Sequence, residues 1–309
     1  MAGTVRNVII IGSGPAGYTA GLYSGRALLE PLMFAGYMSG GQLMLTSDVE
    51  NFPGYPQGIG GPEMMIELRE QAERFGLEVH DKNVERVDLS KRPYSVWVEG
   101  EEYRSESLII CTGAESIWLG VEGEEAQKGR GISTCATCDG AFFKDEEVIV
   151  VGGGDSAMEE ATFLTRFAKK VTIIHRRDVF KASKVMYERA ANHEKIEIKT
   201  FKNVSSWLSD ENGLTGAILE DSRDGSKENI DCTGAFIAIG HKPITKFLEG
   251  QLETDSSGYI LHKENTMTSK DGVFAAGDVV DTRYRQAITA AGMGCQAAID
   301  AEKWLESHH

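Results

Sequence analysis

The chain has 309 residues, a length that indicates about two domains. Its 47 acidic and 32 basic side chains give a formal net charge of −15 at pH 7. A protein with this net negative charge repels nucleic-acid phosphates and anionic lipid headgroups. We therefore expect neither a nucleic acid nor a membrane as a partner. No apolar segment reaches the ~18 residues of a transmembrane helix, and residues 1–7 do not form the apolar core of a signal peptide. We therefore expect a cytoplasmic protein.

The first predicted unit is an apolar strand at residues 7–11, followed by the pattern G-x-G-x-x-G and by a helix from Pro15 to about Ala27. In such a unit the glycines let the backbone approach a pyrophosphate, and the N-terminus of the helix points at its negative charge. The next strand normally ends in an acidic residue that binds a ribose. Residues 31–36 contain no acidic residue, so the ribose contact is left without a candidate. The candidate phosphate-binding residues of this first loop are Gly12, Ser13, Gly14, Pro15, Ala16 and Gly17.

The next feature with chemical meaning is a C-x-x-C pair, Cys135 and Cys138, with Asp139 directly behind it. A structural zinc site needs two further ligands at suitable spacing, which the sequence does not offer, so we expect no metal. Two thiols at this spacing can close a small disulfide that accepts two electrons and passes them on. Asp139 can then donate a proton to the thiolate or accept one from the thiol. The other cysteines are isolated and are expected to be buried; they are Cys111, Cys232 and Cys295.

The strand–loop–helix pattern recurs in the middle of the chain, where an apolar strand at residues 147–151 precedes G-x-G-x-x-A. We expect a helix from Ser156 to about Ala168 behind it. One glycine-rich loop is weak evidence, but two in the same context predict two dinucleotide-binding units in one chain. The candidate residues of this second loop are Gly152, Gly154, Asp155, Ser156 and Ala157.

Four cationic or imidazole side chains follow a further apolar strand at residues 171–174, which should pair with the strand before the second loop. At this position an acidic residue selects NAD, whereas cations bind the 2′-phosphate of NADP. An arginine can donate two hydrogen bonds to a phosphate, and a lysine adds a point charge. A solvated basic patch is the alternative, but in an acidic chain we favour NADPH as the cofactor. The four residues are His175, Arg176, Arg177 and Lys181.

A last strand at residues 272–278 and a helix at residues 286–306 have no place in the second unit. We therefore predict an α/β fold of two Rossmann-like dinucleotide-binding domains, the second inserted into the first. The first domain comprises residues 1–114 and 246–309, and the inserted domain, which carries the cysteine pair, comprises residues 115–245. Because a flavin can take a hydride and then reduce a disulfide, FAD is the expected occupant of the first domain.

Nine motifs, in order along nearly the whole chain, resemble those of the low-molecular-weight thioredoxin reductases, two-domain members of the FAD- and NADPH-dependent pyridine nucleotide-disulfide oxidoreductases. The resemblance implies a homodimer in which electrons pass from NADPH through FAD and the cysteine pair to thioredoxin. It also implies that the inserted domain rotates between the two half-reactions. The motifs are Gly12–Gly17, Gly40–Leu43, Glu50–Gly54, Cys135–Gly140, Gly152–Ala157, His175–Arg177, Ala238–His241, Ala276–Asp278 and Tyr284–Thr289.

The resemblance also supplies flavin contacts that the residue pattern alone does not. Asp278 is expected to hold the ribityl chain, and Gln286 with its two neighbours to line the flavin at a helix N-terminus. The family usually has arginine where this chain has Lys181, which removes a bidentate contact with the 2′-phosphate. The FAD residues expected beyond the first loop are Gly41, Gln42, Leu43, Asn51, Thr112, Gly113, Gly277, Asp278, Arg285, Gln286 and Ala287.

The two cysteines are expected to have different tasks. Cys138 stands next to Asp139 and is assigned to electron exchange with the flavin, and Cys135 to attack on the protein substrate. Two alternatives keep the same architecture, namely a reductase of another thiol protein and a small-molecule dithiol oxidase. A third belongs to another class, a flavin-binding sensor without turnover, which the intact cysteine pair and the two loops disfavour.

Overall fold

The computed structural model describes residues 4–46 and 48–308. Residues 1–3, 47 and 309, which fall within the predicted first domain, lie outside the described residues. The chain divides into two compact units. Unit 1 consists of Met1–Glu115 and Lys242–His309, and unit 2 of Ser116–His241.

The strands and helices are numbered in chain order. The strands are β1 (Val5–Ile11), β2 (Leu32–Phe34), β3 (Glu78–His80), β4 (Arg86–Asp88), β5 (Tyr94–Val98), β6 (Glu101–Ile110), β7 (Ala114–Ser116), β8 (Ile132–Ser133), β9 (Glu147–Val151), β10 (Lys170–His175), β11 (Ile196–Thr200), β12 (Lys202–Asp210), β13 (Gly213–Asp221), β14 (Lys227–Asp231), β15 (Gly234–Ile237), β16 (His241–Pro243) and β17 (Val273–Ala275). The α-helices are α1 (Pro15–Arg26), α2 (Gly61–Arg74), α3 (Glu124–Gln127), α4 (Ala136–Asp139), α5 (Asp155–Leu164), α6 (Lys184–Ala191) and α7 (Ala287–His308). Within the described residues, no helix is both long and apolar enough to cross a membrane.

Unit 1 is built on a sheet with the strand order β3-β2-β1-β6-β5-β4, to which β17 adds by pairing with β6. Strand β5 pairs antiparallel with the first half of β6, and β17 pairs parallel with its second half, where Phe274 lies opposite Ile109. The chain therefore returns to the first sheet after it has formed unit 2. The last strand, which had no place in the second predicted unit, therefore pairs in the first sheet.

The first apolar run of the sequence is buried on both faces of this sheet. Val8 and Ile10 belong to one hydrophobic cluster with side chains of α1, α2 and α7. Ile9 and Ile11 belong to another, with side chains of β5 and β6. Because successive side chains of a strand point to opposite faces, an unbroken apolar run suits a strand that is covered on both sides. The carboxyl end of β1 then leads into the first glycine loop, which is where ligands bind in sheets of this kind.

Unit 2 repeats the arrangement with a parallel sheet in the order β11-β10-β9-β15-β8. Val148 and Val150 of β9 pack with side chains of α5 on one face. Ile149 and Val151 pack on the other face with side chains of β12 and β13, which form an antiparallel sheet with β14. The second glycine loop again follows the central strand. The two parallel sheets with flanking helices agree with the predicted α/β class.

Helix α5 ends at Leu164, four residues before the expected end at Ala168. Beyond this end, the backbone N–H of Lys169 donates to the carbonyl oxygen of Glu146 (2.8 Å), and the ammonium group of Lys195 donates to the carbonyl oxygens of Thr165 (2.8 Å) and Ala168 (3.0 Å). A lysine that takes the carbonyls beyond the last turn replaces the hydrogen bonds that a continued helix would make.

Candidate redox and cofactor-binding sites

The cysteine pair lies in unit 2, where Cys135 and Cys138 form a disulfide with their Cα atoms 5.3 Å apart. Cys135 is the N-terminal flanking residue of the short helix α4, and its carbonyl oxygen accepts hydrogen bonds from the backbone N–H groups of Cys138 (3.2 Å) and Asp139 (3.1 Å). One helical turn therefore brings the two sulfur atoms to the same side of the chain, since residues three apart are neighbours on a helix. The disulfide predicted from the C-x-x-C spacing is confirmed.

The Asp139 carboxyl group is partly buried, and this burial raises its pKa above the usual value, while the Ser133 hydroxyl acts in the opposite direction. Ser133, which the sequence analysis did not single out, also accepts a hydrogen bond from the backbone N–H of Cys135 at 3.0 Å. Its position two residues before the first cysteine is typical of a serine that bonds to the nearby backbone. Ser133 thus fixes the start of α4 and contacts the acidic group behind it.

The first glycine loop has the shape that close approach to a phosphate requires. A Cβ at Gly12, whose φ is +105°, would collide with the carbonyl group of Cys111, and one at Gly17 would collide with the carbonyl oxygen of Gly12. At Gly14, by contrast, a Cβ would meet no atom within 4 Å. Helix α1 begins there, at Pro15, without a side-chain cap. Its first N–H groups are therefore available to an anionic ligand.

Ser13 supports this loop from behind. Its hydroxyl donates to the carbonyl oxygen of Ala35 (2.7 Å) and accepts from the backbone N–H of Gly40 (2.9 Å). The chain beyond Gly40 then passes over the loop, and a Cβ on Gly41 would lie 3.4 Å from Cα of Gly14. Gln42 and Leu43 continue into a short 3₁₀ helix, where the side chain of Gln42 is exposed.

The segment of unit 1 that follows β17 lies against the first glycine loop and the start of α1. Gly277, with φ at +79°, follows β17, and a Cβ on it would lie 2.9 Å from Cβ of Ala16 at the start of α1. Asp278 comes next; it has no hydrogen-bond partner among the described residues, and burial with the nearby charge of Asp281 raises its pKa to about 6 against the opposing charge of Arg285. A partly buried carboxyl group without a hydrogen-bond donor, beside a phosphate-type loop, fits a ligand that carries hydroxyl groups.

Arg285 and Gln286 lie in front of α7 and are held by a residue that the sequence analysis missed. The carboxylate of Asp281 accepts hydrogen bonds from the backbone N–H groups of Arg283 (2.8 Å), Tyr284 (2.8 Å) and Arg285 (2.9 Å). The signal in the sequence is an aspartate two to four residues before them, which commonly binds the backbone of a following turn. Arg285 adopts φ +49°, and its buried Nε has no hydrogen-bond partner among the described residues.

Asn51 and Gln286 are far apart in sequence but meet in unit 1, where the Asn51 side-chain amide donates to Oε1 of Gln286 at 3.4 Å. Ala287 is the first residue of α7. Thr112 lies beside Gly12, and its hydroxyl donates to the carbonyl oxygen of Ile244 (2.7 Å). The next residue, Gly113, has φ +71° and accepts from the N–H of Ile244 (3.0 Å). Thr112 therefore uses its side chain to fix the returning chain.

The second glycine loop, in unit 2, shows the same pattern as the first. A Cβ on Gly152 would collide with the carbonyl oxygen of Ala238 and would lie 2.8 Å from Cβ of Ala157, whereas one on Gly154 would meet nothing within 4 Å. Ser156 is exposed in the first turn of α5. The Asp155 carboxylate accepts a hydrogen bond from the backbone N–H of Ser183 (2.7 Å), so it connects the starts of α5 and α6.

The cationic segment after β10 lies against this loop, because the parallel register puts Ile174 opposite Val151 at the same edge of the sheet. His175 is buried, and a Cβ on Gly153 would collide with its ring. Its Nε2 lies 3.1 Å from the carbonyl oxygen of Val179, and its ring packs on Phe180. His175 therefore has a supporting place under the loop and not the exposed place of a phosphate ligand.

The three remaining cations of the segment are exposed: Arg176, Arg177 and Lys181. None of them forms an ion pair with an acidic side chain among the described residues, although the chain as a whole is strongly acidic. The backbone N–H of Lys181 donates to the carbonyl oxygen of Gly153 at 2.8 Å. The structure thus brings these three cations and the second loop together, as a 2′-phosphate site requires.

The three unpaired cysteines differ in burial. Cys111, directly after β6, and Cys232, directly after β14, are buried, and burial raises the pKa of both thiols. Cys295 in α7 is only half-buried, so the expectation that it is buried is not met in full. Within the described residues, no group of three or more acidic, histidine or cysteine side chains is arranged to hold a metal ion.

Comparison with known proteins identifies the class of enzyme. The family described as pyridine nucleotide-disulphide oxidoreductase matches residues 6–294. Thioredoxin reductase of Mycolicibacterium smegmatis is 54% identical over 303 residues, which cover 98% of this chain and 97% of the relative. The bifunctional thioredoxin reductase/thioredoxin of Mycobacterium leprae is 51% identical, with 99% and 67% covered. The solved structure of thioredoxin reductase from Giardia duodenalis has a TM-score of 0.94 at 43% identity and covers 98% of this chain and 100% of its own.

The chain therefore belongs to the pyridine nucleotide-disulphide oxidoreductase family. Within that family it is similar along its whole length to the low-molecular-weight thioredoxin reductases. It is accordingly a flavoprotein oxidoreductase with FAD and NADPH as cofactors, which confirms the predicted fold class, enzyme class and cofactors.

Proposed function

We propose that this chain transfers two electrons from NADPH, through FAD and the Cys135–Cys138 disulfide, to the disulfide of thioredoxin. The balance is NADPH, one proton and one substrate disulfide giving NADP⁺ and one dithiol. The observation that carries the proposal is the closed Cys135–Cys138 disulfide in the same unit as a glycine loop with unpaired cations. The relatives support the substrate, since those named above are thioredoxin reductases and one of them is joined to a thioredoxin.

The division of labour follows the two units. We assign FAD to the first domain, residues 1–114 and 246–309, and NADPH with the redox disulfide to residues 115–245. These bounds lie within a few residues of the compact units. The assignment is supported by the site in unit 1, where a phosphate-type loop, the partnerless carboxyl group of Asp278 and the partnerless Nε of Arg285 belong to one unit.

Residues of unit 1 would hold FAD by complementary contacts. The N–H groups at the start of α1 would bind its pyrophosphate, the Asp278 carboxylate would accept from ribityl hydroxyls, and Arg285 and Gln286 would line the flavin. When bound, FAD accepts a hydride and supplies the electron pair that reduces a disulfide. In unit 2, Arg176, Arg177 and Lys181 would bind the 2′-phosphate of NADPH, and Asp155 and His175 would keep the binding segment in place.

The thiol chemistry belongs to the chain itself. Once the disulfide is reduced, the Cys135 thiolate attacks one sulfur of the thioredoxin disulfide, and the other sulfur leaves as a thiolate that takes up a proton. The Cys138 thiolate then attacks the Cys135 sulfur, which closes the original disulfide and releases the second thioredoxin thiol. Asp139, which directly follows Cys138 and is partly buried, would take the proton of the Cys138 thiol before this attack and donate it to the departing thioredoxin thiolate.

We also propose a cytoplasmic homodimer in which the inserted domain rotates between half-reactions. The chain passes between the two units only at residues 115/116 and 241/242, and glycines with positive φ, Gly113 and Gly240, lie beside these points. Light scattering tests the dimer. Small-angle scattering of the oxidised and the NADPH-reduced protein should differ if the domain rotates, and identical profiles would exclude the rotation.

The deciding experiment is NADPH oxidation with oxidised thioredoxin as acceptor. Cys135→Ser and Cys138→Ser should each abolish thioredoxin reduction while FAD stays bound and is still reduced by NADPH, because hydride transfer precedes the thiol step. Only Cys135→Ser should show the long-wavelength absorption of a thiolate against oxidised flavin, since it keeps Cys138. Cys295→Ser, which removes a half-buried free thiol, is the matched control and should retain the parental rate.

Two outcomes would contradict the proposal. Thioredoxin reduction at the parental rate by either serine variant would show that electrons leave the flavin by another route. A parent protein that oxidises NADPH with another thiol protein or a small disulfide, but not with thioredoxin, would instead establish one of the two alternatives of the same architecture.

A further inference from the structure

The peptide between Arg176 and Arg177 is held by a turn that no sequence motif singles out. The hydroxyl of Ser222 donates a hydrogen bond to the carbonyl oxygen of Arg176 at 3.1 Å. Ser222 lies in the turn between β13 and β14, in the antiparallel sheet of unit 2. That carbonyl belongs to the peptide that joins the two arginines, so fixing it restrains the direction in which both side chains leave the backbone.

Ser222 also holds the neighbouring strand. Its backbone N–H donates to the carbonyl oxygen of Phe201 at 2.8 Å. Phe201 follows β11, and the register of β10 and β11 puts His175 opposite Thr200, so Arg176 and Phe201 are the residues just beyond this pair. One serine therefore connects the ends of two adjacent parallel strands. Phe201 has φ +58°, a conformation that is rare for a bulky side chain and persists only where its surroundings impose it.

The turn itself is held rigid by a buried carboxylate. Asp221 is 3% exposed, and its side chain accepts hydrogen bonds from the backbone N–H (3.0 Å), Nε (3.0 Å) and Nη2 (2.8 Å) of Arg223. The Lys202 ammonium group forms a second ion pair with it at 3.2 Å. The Arg223 guanidinium lies over the Phe201 ring, 4.4 Å from its centre. The turn is thus fastened on both sides of Ser222.

The other half of the cationic segment is held from the glycine loop. The N–H groups of Lys181 and Ala182 donate to the carbonyl oxygen of Gly153 (2.8 and 3.1 Å), and Asp155 holds Ser183. We propose that Ser222, on the turn fastened by Asp221, is a positioning residue for NADPH selection, because it orients the Arg176–Arg177 peptide toward the 2′-phosphate. This inference rests on the proposed function of the two arginines.

The test separates positioning from general stability by comparing two cofactors. Ser222→Ala should raise the apparent KM for NADPH about three- to ten-fold, the effect of one lost hydrogen bond. The KM for NADH, which lacks the 2′-phosphate, and the kcat with NADPH should both stay within about two-fold, the change that a few tenths of a kcal/mol produces. Ser222→Thr keeps the hydroxyl and should restore the parental KM for NADPH.

Ser205→Ala is the matched control, since Ser205 also donates to a carbonyl oxygen at 3.1 Å, that of Ile218, in the same antiparallel sheet. It should leave the KM for both cofactors unchanged. In an Arg176→Ala/Arg177→Ala background, Ser222→Ala should have no further effect on the KM for NADPH, because the side chains that it orients are gone.

Three results would overturn the inference. An equal rise in KM for NADPH and NADH in Ser222→Ala would indicate a general structural defect. A full effect of Ser222→Ala in the double-alanine background would show that it acts elsewhere. An unchanged KM for NADPH in Arg176→Ala/Arg177→Ala would refute the proposed role of the arginines themselves, and the positioning role with it.

Discussion

Partial burial of the Asp278 carboxyl group and the nearby charge of Asp281 raise its pKa to about 6, while the positive charge of Arg285 acts in the opposite direction. An aspartate in an unfolded chain titrates near pH 3.9. Below that pH the carboxyl group is protonated in both states and costs nothing. As the pH rises toward and beyond 6, the folded protein without FAD holds an unfavourable buried charge, so its stability falls.

We therefore expect Asp278→Asn to stabilise the FAD-free protein at pH 7.5 by about 1–3 kcal/mol and to leave its stability at pH 4 nearly unchanged. The same variant should retain FAD less well, because it loses the charged acceptor for hydroxyl groups. Thermal unfolding of the FAD-free protein at the two pH values measures the first effect, and flavin release the second.

The control for this prediction is Asp281→Asn. Asp281 binds three backbone N–H groups, so its replacement should destabilise the protein at both pH 4 and pH 7.5. Asp278→Asn should destabilise it at neither. A stability gain for Asp278→Asn of equal size at pH 4 and pH 7.5 would show that the buried charge is not its cause.

Asp139 has a pKa raised by burial, with the Ser133 hydroxyl opposing, so it keeps its proton to a higher pH than an exposed aspartate. Asp139→Asn should leave the disulfide and bound FAD intact and slow reduction of thioredoxin by the dithiol, by up to the 10²–10⁴-fold of a lost acid–base group. Rapid-mixing experiments with the prereduced protein isolate that step. The acidic limb in the pH profile of the parent rate should disappear in the variant, and a limb that persists would assign the proton transfer to another group.

Helices α1 and α7 pack so closely that one glycine of α7 has no room for a side chain. In α7, a Cβ on Gly294 would collide with the carbonyl oxygen of Ala16 in α1, whereas one on Gly292 would meet no atom within 4 Å. The two glycines are two residues apart in the same helix, so a Cβ added to one would project from a different face of the helix than a Cβ added to the other. Gly294 is therefore required for close packing, and Gly292 is not.

This pair gives a prediction with an internal control. Gly292→Ala should stabilise the protein by about 0.5–1 kcal/mol, the cost of a glycine inside a helix. Gly294→Ala should destabilise it by more than that gain and should also reduce FAD retention, since Ala16 lies in the first glycine loop. Chemical denaturation of both variants measures the two effects, and loss of stability in both would show that helix packing here is not decided by the local clearance.

At the scale of the whole molecule, the proposed path contains two acceptors of two electrons each, FAD and the Cys135–Cys138 disulfide. Anaerobic titration with dithionite should consume two two-electron equivalents per FAD before the protein is fully reduced. A Cys135→Ser/Cys138→Ser variant should consume one, because only the flavin remains. Flavin absorbance follows the titration, and an equal stoichiometry for the two proteins would mean that the disulfide does not exchange electrons with FAD.

The sequence by itself determined those features that depend only on residues close together along the chain. Each glycine loop, its strand and its helix follow from a few consecutive residues, and the C-x-x-C disulfide follows from one helical turn. The proposed insertion rests on the strand predicted at residues 272–278, which has no place in the second predicted unit. Such features are written in the sequence, since backbone sterics, burial on both sheet faces and short-range hydrogen bonds decide them.

Only the tertiary structure decided which distant groups meet. His175, expected at the phosphate, is buried under Gly153. The sequence shows its position along the chain but not how far it is buried. The hydrogen bonds of Asn51 with Gln286 and of Ser222 with Arg176 join segments separated by 235 and 46 residues. Sheet register and helix packing bring these pairs together. Both result from burial of the whole core, so no local sequence pattern specifies which distant residue a side chain will contact.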